Sequence, residues 1–117
     1  MVKEGSPRYV PNRGDIIWIQ FSQRRGHEQG GRRPAIILSS KQFSERTSFI
    51  FCCPITSKVK GYVFEVPIAA GRIRGAVLAD QAYTFDWQAR RPTYAARAPE
   101  AVVSKVGELI SILAQGA

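Results

Sequence analysis

The sequence predicts a small, mainly β domain, an antiparallel barrel or sandwich covered by one C-terminal helix. Three observations carry this. Short apolar stretches rich in β-branched and aromatic residues recur between loops of Gly, Ser and Arg. Helical three- and four-residue spacing of apolar residues takes over only after Pro99. A chain of 117 residues with 44% hydrophobic content suits one packed core, and neither two domains nor a disordered chain.

The elements follow in order. "DIIWIQF" (15–21) reads as a first strand, after the turn signal Asn12-Arg13-Gly14. "PAIILSS" (34–40) is a second and "SFIFCCPIT" (48–56) a third. In the fourth, "YVFEVPI" (62–68), Tyr62, Phe64 and Val66 alternate with Val63, Glu65 and Pro67; "GAVLAD" (75–80) is the fifth. Pro99 suits a first helical turn, and beyond it Val102, Val103, Val106, Leu109, Ile110 and Leu113 mark one face of a helix ending near Gly116. That face must bury against the sheet. No repeat or low-complexity tract divides the chain, so residues 1–117 are expected to form a single domain.

The net charge of +8 points to a polyanionic partner. After Pro99, Lys105 stands against Glu100 and Glu108, so the basic charge belongs to the strands and their loops. Twelve of the seventeen basic residues are arginines, whose rigid fork suits phosphate oxygens and stacks on bases. RNA or DNA is the expected partner. Adjacent strand residues point to opposite faces, so Cys52 and Cys53 read as two buried thiols. With one histidine and nine scattered acids, neither a zinc nor a magnesium site is expected, and no cofactor. The stretch "MVKEGSPRYV" has no apolar targeting core and no run is long enough to cross a bilayer, so a cytoplasmic location is expected.

One loop, "RRGHEQGGRRP" (24–34), concentrates unusual chemistry between the first two strands. Pro34 disfavours helical backbone at Arg33, which is therefore expected to be extended and aimed by the sheet, with Arg24, Arg25 and Arg32 free. His27 is the one side chain that titrates near neutrality, and nearby arginines favour its neutral, basic form. Glu28 stays ionised and can hold the loop by neutralising an arginine. A solvated basic loop with a surface histidine is the alternative.

The blocks "RGDIIWIQF", "GHEQGGRRPAIILS", "CCPITS", "KGYVFEV", "GAVLADQ" and "DWQAR", in that order, resemble the MazF/PemK family of toxin endoribonucleases, from about Arg13 to Arg91. The resemblance implies a compact SH3-like barrel of the CcdB/PemK kind, with a C-terminal helix, acting as a homodimer. It implies metal-independent cleavage of single-stranded RNA at short sequences, leaving a 2′,3′-cyclic phosphate and a 5′-hydroxyl, and restraint by an acidic antitoxin. The family's arginine before proline falls on Arg33, and the threonine of its Pro-x-Thr motif on Thr56. The loop histidine of the PemK branch matches His27, and the acidic residue of the "DQ" block matches Asp80. These four are the expected catalytic residues; Glu28, Gln29, Arg32, Lys60 and Gln81 are expected to bind RNA. Leu78 stands where the PemK branch has an arginine proposed to protonate the leaving group, which leaves the general acid unassigned.

The residue types fit such a reaction. Forming a cyclic phosphate needs a base for the 2′-hydroxyl, a proton for the departing oxygen, and positive donors for the phosphorane. Arg33 supplies donors, Thr56 a hydroxyl, and His27 or Asp80 the base. Lys58, Lys60, Arg72, Arg74, Arg90 and Arg91 are expected to track the phosphate backbone. Trp18, Phe85 and Trp87 are read as core or dimer interface before base stacking. The rival function is a non-catalytic toxin or nucleic-acid-binding module, which would have no use for the Arg33 and Thr56 pair.

Overall fold

The computed structural model describes residues 9–21 and 31–116. In chain order its elements are β1 (Asp15–Gln20), β2 (Arg32–Ile37), α1 (Lys41–Thr47), β3 (Phe49–Thr56), β4 (Glu65–Ala70), β5 (Ile73–Leu78), β6 (Tyr83–Asp86), a 3-10 turn (Gln88–Arg90), β7 (Thr93–Arg97) and α2 (Glu100–Ala114). The strands form an antiparallel sheet in the order β4-β5-β3-β2-β1-β7, with β6 also paired to β3, and the sheet curls into a half-barrel.

Both faces of the central strands are buried, which is why their sequences run almost continuously apolar. Ile16, Ile36, Cys53 and Val77 pack on one face beneath Val103, Val106 and Leu109 of α2. Ile17, Ile19, Ala35, Ile37 and Cys52 face the other way, against Phe85 and Trp87. The two adjacent thiols thus enter different clusters, as strand alternation requires. The Trp87 indole N–H donates to the Ser44 carbonyl of α1 at 3.0 Å, closing the second cluster. Phe85 and Trp87 are therefore core side chains, whereas Trp18 is 39% exposed.

Burial pushes both thiols from an ordinary value of 9.0 up to about 12, with the neighbouring Cys53 adding to the effect on Cys52 and Asp80 to that on Cys53. The folded chain holds these protons more tightly than the unfolded chain, so the stabilisation is complete below pH 9 and is lost as pH rises toward 12. Each thiol is expected to cost about 2 kcal/mol at a pH of about 10.5, relative to neutral pH. Urea unfolding at the two pH values checks this, with Cys53→Val losing about half of the slope.

The start of β1 is fixed by polar contacts. Gly14 takes φ +93°, and a Cβ there would lie 2.8 Å from the Arg97 guanidinium. The buried Asp15 carboxylate accepts from the Tyr9 hydroxyl, from the Asn12 N–H at 3.0 Å and from Arg97 Nη1 at 2.9 Å.

Several boundaries differ from the sequence expectation. β2 starts at Arg32 and ends at Ile37, because Ser39 and Ser40 turn toward α1 and the Ser40 hydroxyl caps it by accepting from the Phe43 N–H. β4 begins at Glu65 instead of Tyr62. The Glu65 carboxylate accepts from the backbone N–H groups of Lys60, Gly61 and Tyr62, which wraps residues 60–64 into a turn with Gly61 at φ +78°. β5 begins two residues early, at Ile73, and carries Gly75 inside it. β3 begins one residue late, at Phe49, and ends at Thr56 as expected. Helix α2 matches its expected span, with Pro99 as the residue just before it; its buried stripe stops at Leu109, and Leu113 is exposed.

Candidate functional site

Two clefts open side by side at the end of the half-barrel where β2 and β3 part. The register pairs Ile37 with Cys52, Ile36 with Cys53 and Ala35 with Pro54. Continued outward, that register sets Arg33 opposite Thr56. The pairing stops short of them, because Thr56 turns to pair with Ala76 of β5. The strands splay there, and both residues line one cleft of about 650 Å³ with Trp18, Lys58, Arg72 and Arg74. Two residues twenty-three positions apart in sequence meet because antiparallel pairing brings them together.

Among the described residues no acidic side chain lines this cleft, while Arg33, Lys58, Arg72 and Arg74 all do. Among the described residues no ion pair involves Arg33. Arg74 is partly engaged, donating to the Gly71 and Ile73 carbonyls at 3.0 and 3.1 Å. A concave surface lined by positive side chains of one sign attracts anions and holds phosphate oxygens. Thr56 Oγ1 accepts from the Lys58 N–H at 3.0 Å, so the hydroxyl proton is left to donate outward.

The second cleft, of about 610 Å³, shares Thr56 and Lys58 with the first. Its other walls are Lys60, Tyr62, Glu65, Leu78, Asp80 and Gln81. The Tyr62 hydroxyl donates to Asp80 Oδ2 at 2.7 Å, and this bond raises the tyrosine pKa.

Of the residues expected from sequence, Arg33 and Thr56 share one cleft, and Thr56, Lys60, Asp80 and Gln81 share the other. His27, Glu28 and Gln29 lie outside the described residues. Two cations have other work. Arg32 is not free: its Nη2 donates to the Trp18 carbonyl at 3.1 Å and to the Thr93 hydroxyl, bracing β2 against β1 and β7. Arg90 does not reach toward a phosphate; its Nη1 donates to the Gln20 and Phe21 carbonyls at 2.9 and 2.7 Å, and its guanidinium lies over the Phe85 ring. Among the described residues, no three His, Cys, Asp or Glu side chains are grouped to hold a metal ion.

Sequence reasoning passed over three residues of the site. Tyr62 and Glu65 were read only as strand residues. Gly75 is the third: a Cβ on it would sit 2.0 Å from the Thr56 carbonyl oxygen, so only glycine lets β5 lie this close behind Thr56. The signals were present as a Gly-Tyr turn followed by an acid, and a glycine inside an apolar run.

A curled β half-barrel under a C-terminal helix, with a cleft at one end lined by Arg33, Lys58, Arg72 and Arg74, defines a class of small β proteins with a cationic end. The chain belongs to the family of PemK-like, MazF-like toxins of type II toxin-antitoxin systems, whose family model matches residues 12–114. It is 43% identical over 86 residues to the endoribonuclease toxin MazF of Escherichia coli (strain K12), covering 74% of this chain and 78% of that protein. It is 32% identical over 107 residues to the endoribonuclease PemK of Escherichia coli, covering 86% and 80%. Among solved structures, MazF (Form-I) from Deinococcus radiodurans superposes with a TM-score of 0.84 at 41% identity, over 92% of this chain and 99% of that one. MazE-MazF (Form-II) from the same organism gives 0.87 at 40% identity, over 94% and 100%.

Proposed function

We propose that this chain is the toxin of a type II toxin-antitoxin pair and cleaves single-stranded RNA at short sequences without a metal ion. The observation that carries the reading is the meeting of Arg33 and Thr56 in a cleft that Lys58, Arg72 and Arg74 also line. A pure binding module has no need of that pair. Relatives named as endoribonucleases support the reaction class, and the structures of MazE with MazF support an antitoxin partner.

In this mechanism the 2′-hydroxyl of the RNA attacks the adjacent phosphorus, and the bond to the 5′-oxygen breaks. The products are a 2′,3′-cyclic phosphate and a 5′-hydroxyl. Arg33 meets the charge that grows on the non-bridging oxygens, and the Thr56 hydroxyl donates to one of them. His27 or Asp80 takes the 2′-hydroxyl proton, and the departing 5′-oxygen takes a proton from the other of the two or from water. Glu28, Gln29, Arg32, Lys60 and Gln81 bind the RNA strand, with Arg32 acting through its brace on β2. The toxin works as one domain spanning the chain and as a homodimer. An acidic antitoxin silences it by covering the cationic face, and an mRNA substrate makes the cytoplasm its site of action.

The test is incubation of the purified protein with a long single-stranded RNA in excess EDTA, followed by mapping of cut sites and end groups. Cuts at one short motif ending in cyclic phosphate are expected; intact RNA, or ends bearing 5′-phosphate, overturns the reading. Binding is also expected to weaken with salt. Four phosphate contacts give a log–log slope of roughly −3 for a single strand, measured by titration at several salt concentrations. Gly75→Ala, which drives a methyl group into the Thr56 backbone, is expected to slow cleavage roughly 100-fold with RNA affinity changed little. Single-turnover rates and binding titrations separate the two effects.

A further inference from the structure

Phe21, Tyr83 and Phe85 form an aromatic cluster that the cleavage chemistry does not use. Tyr83 and Phe85 are two residues apart in β6, so their rings share one face of the strand, and they lie nearly parallel at 5.3 Å. Phe21, just past β1, meets the two rings edge-on at 5.5 and 5.1 Å. Arg90 locks the arrangement: its guanidinium lies 4.1 Å over the Phe85 ring, while Nη1 donates to the Phe21 carbonyl at 2.7 Å. Phe85 is buried, but Tyr83 remains 42% exposed, so its ring is both held and open to solvent. Such a ring suits an unstacked nucleobase, because every base has a π-face.

The register places this ring on the sheet face that carries Arg33. Tyr83 pairs with Cys52 and Cys52 with Ile37, and Ile37, Ala35 and Arg33 share one face of β2. Ala35 pairs with Pro54, and the next step outward sets Arg33 opposite Thr56. The four residues of β3 from Cys52 to Thr56 span about 13 Å. Gln81, two residues before Tyr83, already lines the cleft that shares Thr56.

We propose that Tyr83 is a stacking subsite for a base of the bound RNA strand, at least one nucleotide removed from the cut; the proposal rests on the ribonuclease reading above. Stacking uses the face of a base and not its hydrogen-bonding edges, so this subsite adds affinity without base preference. Phe21, Phe85 and Arg90 are positioning residues in this scheme: they hold the Tyr83 ring and do not touch the strand.

The experiment titrates the wild type, Tyr83→Ala, Tyr83→Leu and Tyr83→Phe with a single-site RNA oligonucleotide and with copies that each carry one abasic nucleotide at a successive position around the cut. All strands lack the 2′-hydroxyl at the cut, so that they stay intact during binding. Removing the base at one position beyond those flanking the cut is expected to weaken binding to the wild type and to Tyr83→Phe roughly tenfold. Tyr83→Ala and Tyr83→Leu are expected to bind the full strand roughly tenfold more weakly and to lose nothing further at that position. An abasic profile that is the same in the wild type and in Tyr83→Leu, which fills the space without a ring, overturns the proposal. So does a Tyr83→Ala protein that sediments as a monomer beside a dimeric wild type, since the ring then belongs to the contact between copies. A wild type that cuts no all-ribose RNA overturns the ribonuclease reading itself, and the subsite with it.

Discussion

Arg33→Ala is expected to slow RNA cleavage by roughly 1,000-fold, about 4 kcal/mol of transition-state stabilisation, while the folded state is unchanged. The rate effect follows from position. Arg33 is held by β2 opposite Ile19, in the wall of the cationic cleft, with Thr56 across the splayed strands. A guanidinium fixed there needs no reorganisation as charge grows on the phosphorane, and no other described cation shares its strand position. The absence of a stability effect follows from exposure: the side chain is on the surface, and such substitutions usually fall within about 0.5 kcal/mol. Arg33→Lys keeps the charge and loses the planar fork, so most of the rate loss is expected to remain. Single-turnover cleavage and urea unfolding of the three proteins measure both halves of the claim.

Asp15→Ala is expected to destabilise the fold by about 3 kcal/mol without touching the cleft chemistry. Asp15 is 6% exposed and is the shared acceptor for Tyr9, Asn12 and Arg97, so removing its carboxylate strands a half-buried hydroxyl and a backbone N–H at once. The Arg97 guanidinium, more than half exposed, recovers water and adds little. Burial and the bond to Asp15 together raise the Tyr9 pKa. Urea unfolding checks the magnitude. A loss under about 1 kcal/mol would mean that the carboxylate is replaced there by water.

The sequence made the long elements legible and the short ones obscure, for physical reasons. β1, β3 and α2 were readable because each buries a strong apolar pattern: β1 and β3 on both sheet faces, α2 on one stripe. Helix α1 was missed because its seven residues bury only Ser44, so the fold and the Ser40 cap hold it without a helical apolar period. β6 and β7 are short, half-polar strands whose pairing with β3 and β1 is decided by tertiary contacts. The shift of β4 turned on one side chain. Glu65 read as one of the alternating residues of a strand, and only the fold reveals its carboxylate gathering three backbone donors.

The site divides in the same way. Arg33 was legible because Pro34 restricts its backbone locally. Its meeting with Thr56 is a matter of register, which no local pattern encodes. Arg32 and Arg90 looked like spare cations because sequence cannot distinguish a guanidinium facing solvent from one holding carbonyl oxygens. Gly75 mattered through the backbone it lets pass, and Tyr62 through a hydroxyl that meets Asp80 eighteen residues on.

The most direct test of the central claim, that the strand's own 2′-hydroxyl is the nucleophile at the Arg33 and Thr56 cleft, uses a single-site RNA oligonucleotide in excess EDTA. It is compared with the same oligonucleotide lacking only the 2′-hydroxyl on the 5′ side of the cut. The all-ribose strand is expected to be cut to a cyclic phosphate, and the substituted strand to bind with similar affinity and remain intact. Cleavage of both at similar rates would contradict the account, because the attacking group would then come from outside the strand.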